Sequence, residues 1–271
     1  MKGEKRVESD LALIDKVRKR QPLIHHITNG VTINDCANIT LSCGASPVMA
    51  DAPEEAADMT RLASALVLNI GTLHRDQVET MIQAGLAANK KGIPVVLDPV
   101  GVGATPMRTE AARRLMNRVQ ITHLKGNAAE IATLAGVQAE VRGVDSGQVG
   151  SDLETLAKKA AQIWGVTVTV TGARDWITDG QEQIEVVNGH ELMSTVSGTG
   201  CMSASVLAAF AATGEDPVAS AVSAMATYGV AAEQAARRSR GPGSFRVELF
   251  DAIASLTGEQ VKEAACVTWR G

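Results

Sequence analysis

The segment of this chain with the clearest chemical meaning is VSGTGCMSASVLAAF, at residues 196–210. Gly198 and Gly200 flank a turn that leads directly into an alanine-rich helix. The start of a helix exposes backbone N–H groups and the positive end of the helix dipole, which together hold an anion. Glycines let the backbone come close to a phosphate, and Cys201 would lie in the first turn, where a thiolate is favoured. The segment predicts a phosphate-binding turn; the alternative is a tight strand-to-helix turn with Cys201 as a small buried residue.

A second glycine-rich segment matches neither of two common nucleotide-binding motifs. GVGATP at 101–106 lacks the GK[ST] ending with which a P-loop grips phosphates. It also lacks the GxGxxG spacing of a dinucleotide-binding turn. A nucleotide would therefore have to be held in another way.

Other reactive residue types are interpreted as structural. His25 and His26 are adjacent, so on a strand they face opposite ways, and no third ligand at metal spacing accompanies them. The chain has four cysteines and no CxxC pair, which argues against both a zinc site and a disulfide scaffold. Three of them are expected to be small packing residues: Cys36, Cys43 and Cys266.

Alternating apolar runs and amphipathic stretches predict the elements that position these residues. A first helix ends before Pro22, and a loop is expected at 140–150, a hairpin at 177–187 and a GPGS break at 241–244 in an otherwise helical end. The predicted strands are 23–28, 47–50, 65–70, 95–97, 121–124 and 166–170, and the helices between them are 32–42, 77–91, 109–119, 127–135 and 153–164. This order predicts an α/β fold with a mostly parallel sheet and helices on both faces.

Ligands of such folds bind beyond the carboxyl ends of the strands. Glycines and small polar residues follow almost every predicted strand, as in Asn29-Gly30, Gly71-Thr72, Asp98-Pro99, Lys125-Gly126-Asn127 and Thr171-Gly172. The sequence therefore predicts a ligand site at one rim of the sheet.

Composition sets outer limits. The 271 residues contain no repeat and no convincing linker, so one domain spanning 1–271 is expected. A net charge of -4 without a basic block argues against nucleic-acid binding. The longest apolar stretch, near 206–212, is too short to cross a membrane, and the charged start does not resemble a signal peptide. These features favour a cytoplasmic protein.

Several segments, taken in order, resemble one enzyme family. HHITNGV (25–31), ASPVMA (45–50), LNIGTL (68–73), LDPVGVGATP (97–106), KGNAAEI (125–131), VTG (170–172), GTGC (198–201) and GPGSF (241–245) are similar to hydroxyethylthiazole kinases, which have a ribokinase-like fold. Related sugar and pyrimidine kinases usually have aspartate where this chain has Cys201. The cysteine therefore favours the thiazole branch.

The resemblance implies transfer of the γ-phosphoryl group of ATP to a thiazole alcohol in thiamine salvage, with Mg²⁺, in a homotrimer whose sites are completed by a neighbouring subunit. It implies a role for each of the matching residues: Cys201, Gly198 and Gly200 in catalysis; Asn29, Val31, Met49 and Gly198 in substrate binding; Lys125, Asn127 and Thr171 in ATP binding; Asp98 and Glu130 near the metal.

Three of these assignments have alternatives. Asp98 could instead cap a helix, Glu130 could lie on a solvated helical face, and Met49 could belong to the ordinary core. The family is expected to have arginine at 125; lysine keeps the charge but lacks the bidentate fork. The competing functions are another kinase or a dehydratase of the same fold, such as a hydroxymethylpyrimidine kinase, and a thiazole-binding protein without turnover.

Overall fold

The computed structural model describes residues 11–137 and 149–270. Strands and helices alternate through most of these residues. The strands are β1 (Leu23–Ile27), β2 (Ser46–Val48), β3 (Ala65–Asn69), β4 (Val95–Asp98), β5 (His123–Asn127), β6 (Thr167–Thr171), β7 (Asp175–Thr178), β8 (Gln183–Val186) and β9 (Val267–Trp269). The helices are α1 (Leu13–Arg20), α2 (Ile33–Ser42), α3 (Ala56–Leu62), α4 (Arg75–Lys91), α5 (Pro106–Arg118), α6 (Ala128–Leu134), α7 (Val149–Trp164), α8 (Thr199–Ala211), α9 (Pro217–Arg238), α10 (Pro242–Ser255) and α11 (Gly258–Ala264), with a 3₁₀ turn at Glu191–Thr195.

The strands form one nine-stranded sheet in the order β2-β1-β3-β4-β5-β6-β7-β8-β9. The first six pair in parallel, and β7, β8 and β9 add an antiparallel edge. Each parallel connection runs through a helix, as parallel pairing requires. The predicted α/β fold with a mostly parallel sheet is confirmed.

Side chains of the central strands alternate between two apolar cores. On β3, Ala65 and Val67 pack with α1, α2, α8, α9 and α10, whereas Leu66 and Leu68 pack with α3 to α7 on the opposite face. Successive strand residues point to opposite faces, and both faces are covered. The predicted packing of helices on both faces of the sheet is therefore confirmed.

Some predicted boundaries differ from the structure. β5 begins two residues later than expected and includes Lys125 and Asn127, because these residues pair with Thr169 and Thr171 of β6. The short elements α3 and β9 were not predicted, since seven and three residues carry too little periodic pattern. The GPGS break separates α9 from α10. Of the predicted loop at 140–150, the last two residues begin α7, and the others lie outside the described residues.

The register brings polar residues together at the carboxyl ends of the parallel strands. Asn69 pairs with Asp98 across β3 and β4, and Asn127 pairs with Thr171 across β5 and β6. The start of α8 lies over the same rim, since its residues contact β3 and β4. Across 11–137 and 149–270, no helix is long and apolar enough to cross a membrane.

Candidate active site

The turn before α8 has the conformation that its glycine pattern predicts. Gly198 has a φ of +89°, a region that favours glycine, and a β-carbon there would lie 2.5 Å from Cγ2 of Thr32. The backbone N–H of Met202 donates to the Gly198 carbonyl at 2.8 Å, which closes the first helical turn. Cys201 therefore lies in the first turn, half-buried, with the unpaired N–H groups of the helix start around it.

The carbonyls of this turn are held from two sides. Nζ of Lys125 donates to the carbonyl of Gly200 at 2.8 Å, and the hydroxyl of Tyr228 donates to the carbonyl of Thr199 at 3.0 Å. These two hydrogen bonds restrain the turn, and the free N–H groups at the start of the helix are suited to bind an anion.

Two asparagine amides contact the sulfur of Cys201. Nδ2 of Asn29, after β1, and Nδ2 of Asn69, at the end of β3, each lie 3.3 Å from Sγ. Asn29 was expected in the substrate pocket, whereas Asn69 was not singled out from the sequence. The signal for it was an amide that ends an otherwise apolar, fully buried strand.

Asp98 lies next to Asn69 and is almost fully buried. Its Oδ2 accepts a hydrogen bond from Nδ2 of Asn69 at 2.8 Å and lies 3.8 Å from Nζ of Lys125. Burial raises the pKa of Asp98 to about 6, since the Lys125 charge only partly offsets it and the Glu130 charge adds to it. Among residues 11–137 and 149–270, no hydrogen bond joins the Asp98 carboxylate to the start of a helix, and Asp98 lines the cavity described below.

Glu130 and Asn127 form a capping box at the start of α6. Oδ1 of Asn127 accepts from the Glu130 N–H at 3.0 Å, and Oε2 of Glu130 accepts from the Asn127 N–H at 2.9 Å. Oε1 of Glu130 accepts from the N–H of Gly101 at 2.8 Å. Glu130 is 8% exposed. The alternative of a solvated helical face is therefore wrong, because the carboxylate is buried among backbone donors.

The chemistry of this corner fits a magnesium ion bound together with phosphates. Asp98 and Glu130 supply hard oxygen donors, and their mutual repulsion contributes to the raised pKa of Asp98, which a divalent cation would relieve. No group of three histidine, cysteine or acidic side chains that could hold a metal occurs in the described part of the chain. Phosphate oxygens and water would have to complete the coordination.

One cavity of about 810 Å³ unites the catalytic, ATP and metal candidates. Thr171 lies on its rim, with its hydroxyl donating to the Gly126 carbonyl at 3.3 Å. The predicted site residues that line the cavity are Asp98, Lys125, Asn127, Glu130, Thr171, Gly198, Gly200 and Cys201. Residues from four separate regions of the sequence therefore meet at the rim of the sheet.

The three remaining substrate candidates do not line this cavity. Asn29 reaches the site through its bond to Cys201, whereas Val31 is 69% exposed and Met49, just after β2, is partly exposed. The fold of the single chain therefore does not bring Val31 and Met49 into this cavity.

The residues interpreted as structural mostly behave so. Both ring nitrogens of His25 are bonded, to the Thr60 hydroxyl and the Ala50 carbonyl, and burial lowers the pKa of His26 to about 4. Among the cysteines, Cys36 and Cys43 are buried as expected. Cys266 is exposed, so its assignment as a packing residue is wrong: it lies in the short connection between α11 and β9.

Comparison with known proteins agrees with the geometry. The sequence model described as the hydroxyethylthiazole kinase family matches residues 14–259. The hydroxyethylthiazole kinase of Methanocella arvoryzae is 53% identical over 249 residues, covering 92% of this chain and 94% of the relative. That of Thermoanaerobacter pseudethanolicus is 51% identical over 253 residues, covering 93% and 96%.

Solved structures extend the likeness to three dimensions. The hydroxyethylthiazole kinase protein of Pyrococcus horikoshii OT3 superposes with a TM-score of 0.89 at 40% identity, covering 97% of this chain and 99% of that one. A pyridoxal kinase from Staphylococcus aureus has a TM-score of 0.57 at 16% identity, covering 78% and 86%, and shares the ribokinase-like fold alone. With a family match over most of its length and relatives above 50% identity, this chain belongs to the hydroxyethylthiazole kinase family.

Proposed function

We propose that this chain transfers the γ-phosphoryl group of ATP to the hydroxyl of 4-methyl-5-(2-hydroxyethyl)thiazole, giving the thiazole monophosphate and ADP in thiamine salvage. The observation that supports it most is the convergence of the Gly198–Cys201 turn, Lys125 and the carboxylate of Asp98 in one cavity. A phosphate-binding helix start, a cation and a carboxylate are the parts that phosphoryl transfer needs.

The nucleotide occupies the cavity between β5, β6 and the start of α8 in this proposal. Lys125 uses one ammonium hydrogen on the Gly200 carbonyl, which leaves its other hydrogens for phosphate oxygens. Asp98 and Glu130 would hold Mg²⁺, which supplies neutralisation of phosphate charge when bound. The N–H groups at the start of α8 stabilise the charge that develops on the transferred group.

Each bond formed and each proton moved in the proposed transfer can be accounted for. The hydroxyl oxygen of the thiazole alcohol attacks the γ-phosphorus, the bond from that phosphorus to the bridging oxygen breaks, and ADP leaves with the electron pair. Cys201 acts as the base in its thiolate form, so its Sγ takes the hydroxyl proton and becomes the thiol. Because the transition state is loose, the proton need not leave early, so a weak base is sufficient.

We propose that the acceptor pocket is completed in a homotrimer. Val31, a substrate candidate, is 69% exposed. So open a side chain would not enclose an apolar substrate, and a neighbouring subunit that covers Val31 would account for its exposure. The proposed partners are therefore the thiazole alcohol, ATP and two further copies of the chain.

Mass spectrometry of the product tests the proposed reaction. Incubation with Mg-ATP and the thiazole alcohol should give an alcohol heavier by one phosphoryl group. Tight binding of the thiazole alcohol without this product would instead favour a binding protein, and phosphorylation of hydroxymethylpyrimidine alone would favour a pyrimidine kinase.

A further inference from the structure

Asn69 is a buried residue that none of the site predictions includes. It ends β3, is 1% exposed, and lies between Asp98 and Cys201. Its side chain has two donor hydrogens and one acceptor oxygen, so its contacts can be assigned individually.

The orientation of the Asn69 amide is fixed by its neighbours. Its Oδ1 accepts from the N–H of Gly71 at 2.9 Å and from Nδ2 of Asn29 at 2.9 Å, both of which are donors. An amide flipped by 180° would place its NH₂ group against these donors. Nδ2 of Asn69 therefore faces Oδ2 of Asp98 at 2.8 Å and Sγ of Cys201 at 3.3 Å.

The Asn29 amide is fixed in the same way. Its Oδ1 accepts from the N–H groups of Val31 and Thr32, at 3.2 and 3.1 Å. Its Nδ2 consequently donates one hydrogen to Asn69 and the other towards Sγ of Cys201. The sulfur thus receives two N–H groups whose directions are set by backbone donors further away.

Other titratable groups near the sulfur do not replace these amides. Burial raises the pKa of Cys36 to about 11 and that of Tyr228 well above its usual range, so both stay neutral near pH 7. Beyond Asn69, Asp98 is paired with Lys125. The two amides are therefore the direct hydrogen-bonding neighbours of Sγ among the described side chains.

We propose that Asn69 is a positioning residue for phosphoryl transfer, which, together with Asn29, holds Sγ of Cys201 as a hydrogen-bond acceptor and so favours its thiolate. Donation to a charged form stabilises that form. Since Asn69 also binds Asp98, it fixes the distance between the base and the proposed metal ligand. This inference rests on the proposed role of Cys201 as the base.

Alkylation of Cys201 by iodoacetamide tests the inference without any turnover. The rate is followed at pH 7 by mass spectrometry of the Cys201 peptide, with exposed Cys266 as the internal reference. Asn69→Ala should slow alkylation of Cys201 about three- to tenfold relative to Cys266, since a hydrogen bond to a charged group is lost. An unchanged or faster relative rate overturns the proposal.

A second variant guards against misfolding. Asn69→Ser keeps one hydroxyl donor, which the Asp98 carboxylate would take because a charge-assisted bond is stronger, and leaves none for the sulfur. It should slow alkylation in the same direction. Asn89→Ala is the matched control, because Asn89 bridges to Gln120 at the opposite end of the sheet and should leave the rate unchanged.

Kinetics separate this role from a merely structural one. Asn69→Ser should lower kcat about tenfold with little change in KM for the thiazole alcohol. In a Cys201→Ala background the same substitution should lower kcat less than about twofold, because the effects of residues that act as a unit are not additive. Equal losses in both backgrounds overturn the proposal. If the parent chain shows no kinase activity at all, the proposed function fails, while the alkylation result still decides the role of Asn69.

Discussion

At the scale of single residues, the site depends on a few side chains whose partners are specified by geometry. Cys201 combines a place in the first turn of α8 with two amide donors, and Lys125 holds the same turn through the Gly200 carbonyl. Lysine at this position reaches a backbone carbonyl with a single ammonium group, for which no bidentate fork is needed. The proposed function also uses its charge to hold a phosphate group.

Replacement of the cysteine should separate catalysis from binding. Cys201→Ala should lower kcat about a hundredfold while the thiazole alcohol still binds, because only the base is removed. Steady-state kinetics and calorimetric titration with the thiazole alcohol measure the two effects.

Aspartate at the same position provides the complementary variant. Cys201→Asp should remain active, since a carboxylate can take the proton from the same place. Normal turnover by Cys201→Ala, or an inactive but folded Cys201→Asp, would contradict the base assignment.

The glycine of the turn should be sensitive for a steric reason. In Gly198→Ala the new β-carbon would meet Thr32 at 2.5 Å in a backbone region that favours glycine. We expect a loss of about 2–4 kcal/mol in the free energy of unfolding, measured by urea denaturation, and a loss of kcat.

Gly243→Ala is the control, because nothing lies within 4 Å of its added β-carbon. It should change the free energy of unfolding little. Similar losses in the two alanine variants would show that the Gly198 turn is not sterically constrained.

At the scale of elements, sequence patterns predicted what long periodic segments specify. Buried strands such as β3 and long helices such as α4 were found because their apolar spacing is regular. The contact between Asn69 and Sγ of Cys201 was not predictable from the sequence. It depends on which strand lies beside β3 and on the register of β3 with β4. The short edge strand β9 was missed, because three residues carry too little pattern and its pairing with β8 is long-range.

The ion pairs of Glu185 lead to a prediction about how stability depends on pH. The carboxylate of Glu185 on β8 is 2% exposed and is bound by Arg174 and Arg270, each at 2.6 Å. Burial raises the pKa of Glu185, but the hydrogen bonds and charges of the two arginines outweigh it, and the pKa is lowered. The resulting stabilisation is present above the unfolded pKa and is lost as pH falls through the folded one.

Glu185→Gln should therefore be less stable than the parent by about 1–3 kcal/mol at pH 7, and the difference should shrink below pH 4. Urea denaturation at both pH values measures it. Glu263→Gln, at an exposed glutamate of α11, should differ little at either pH. A loss of stability in Glu185→Gln that is the same at both pH values would contradict this prediction, because it would show that the shape of the side chain matters rather than its charge.

At the scale of the whole molecule, one sheet joins residues from Leu23 to Trp269, and we propose that the chain forms a single domain over 1–271. The cavity proposed for ATP is lined by residues of this chain, whereas Val31, a proposed substrate contact, is 69% exposed. The exposure of Val31 is the feature that a neighbouring subunit would explain.

Light scattering measures the assembly. We expect a particle of three times the 28.3 kDa chain mass. Val31→Asp should weaken the trimer, since a charge would be buried in the interface without a partner. Thr195→Asp, at an exposed residue of the 3₁₀ turn, serves as a comparison for surface charge alone. A parent chain of 28.3 kDa in solution would contradict the proposed trimer.

Acceptor-dependent release of ADP from Mg-ATP tests the central claim most directly. The purified chain is given the thiazole alcohol, hydroxymethylpyrimidine or no acceptor. We predict ADP formation with the thiazole alcohol alone, which would establish the acceptor and the reaction together. No acceptor-dependent ADP from the folded protein, or release only with hydroxymethylpyrimidine, would contradict the proposed function.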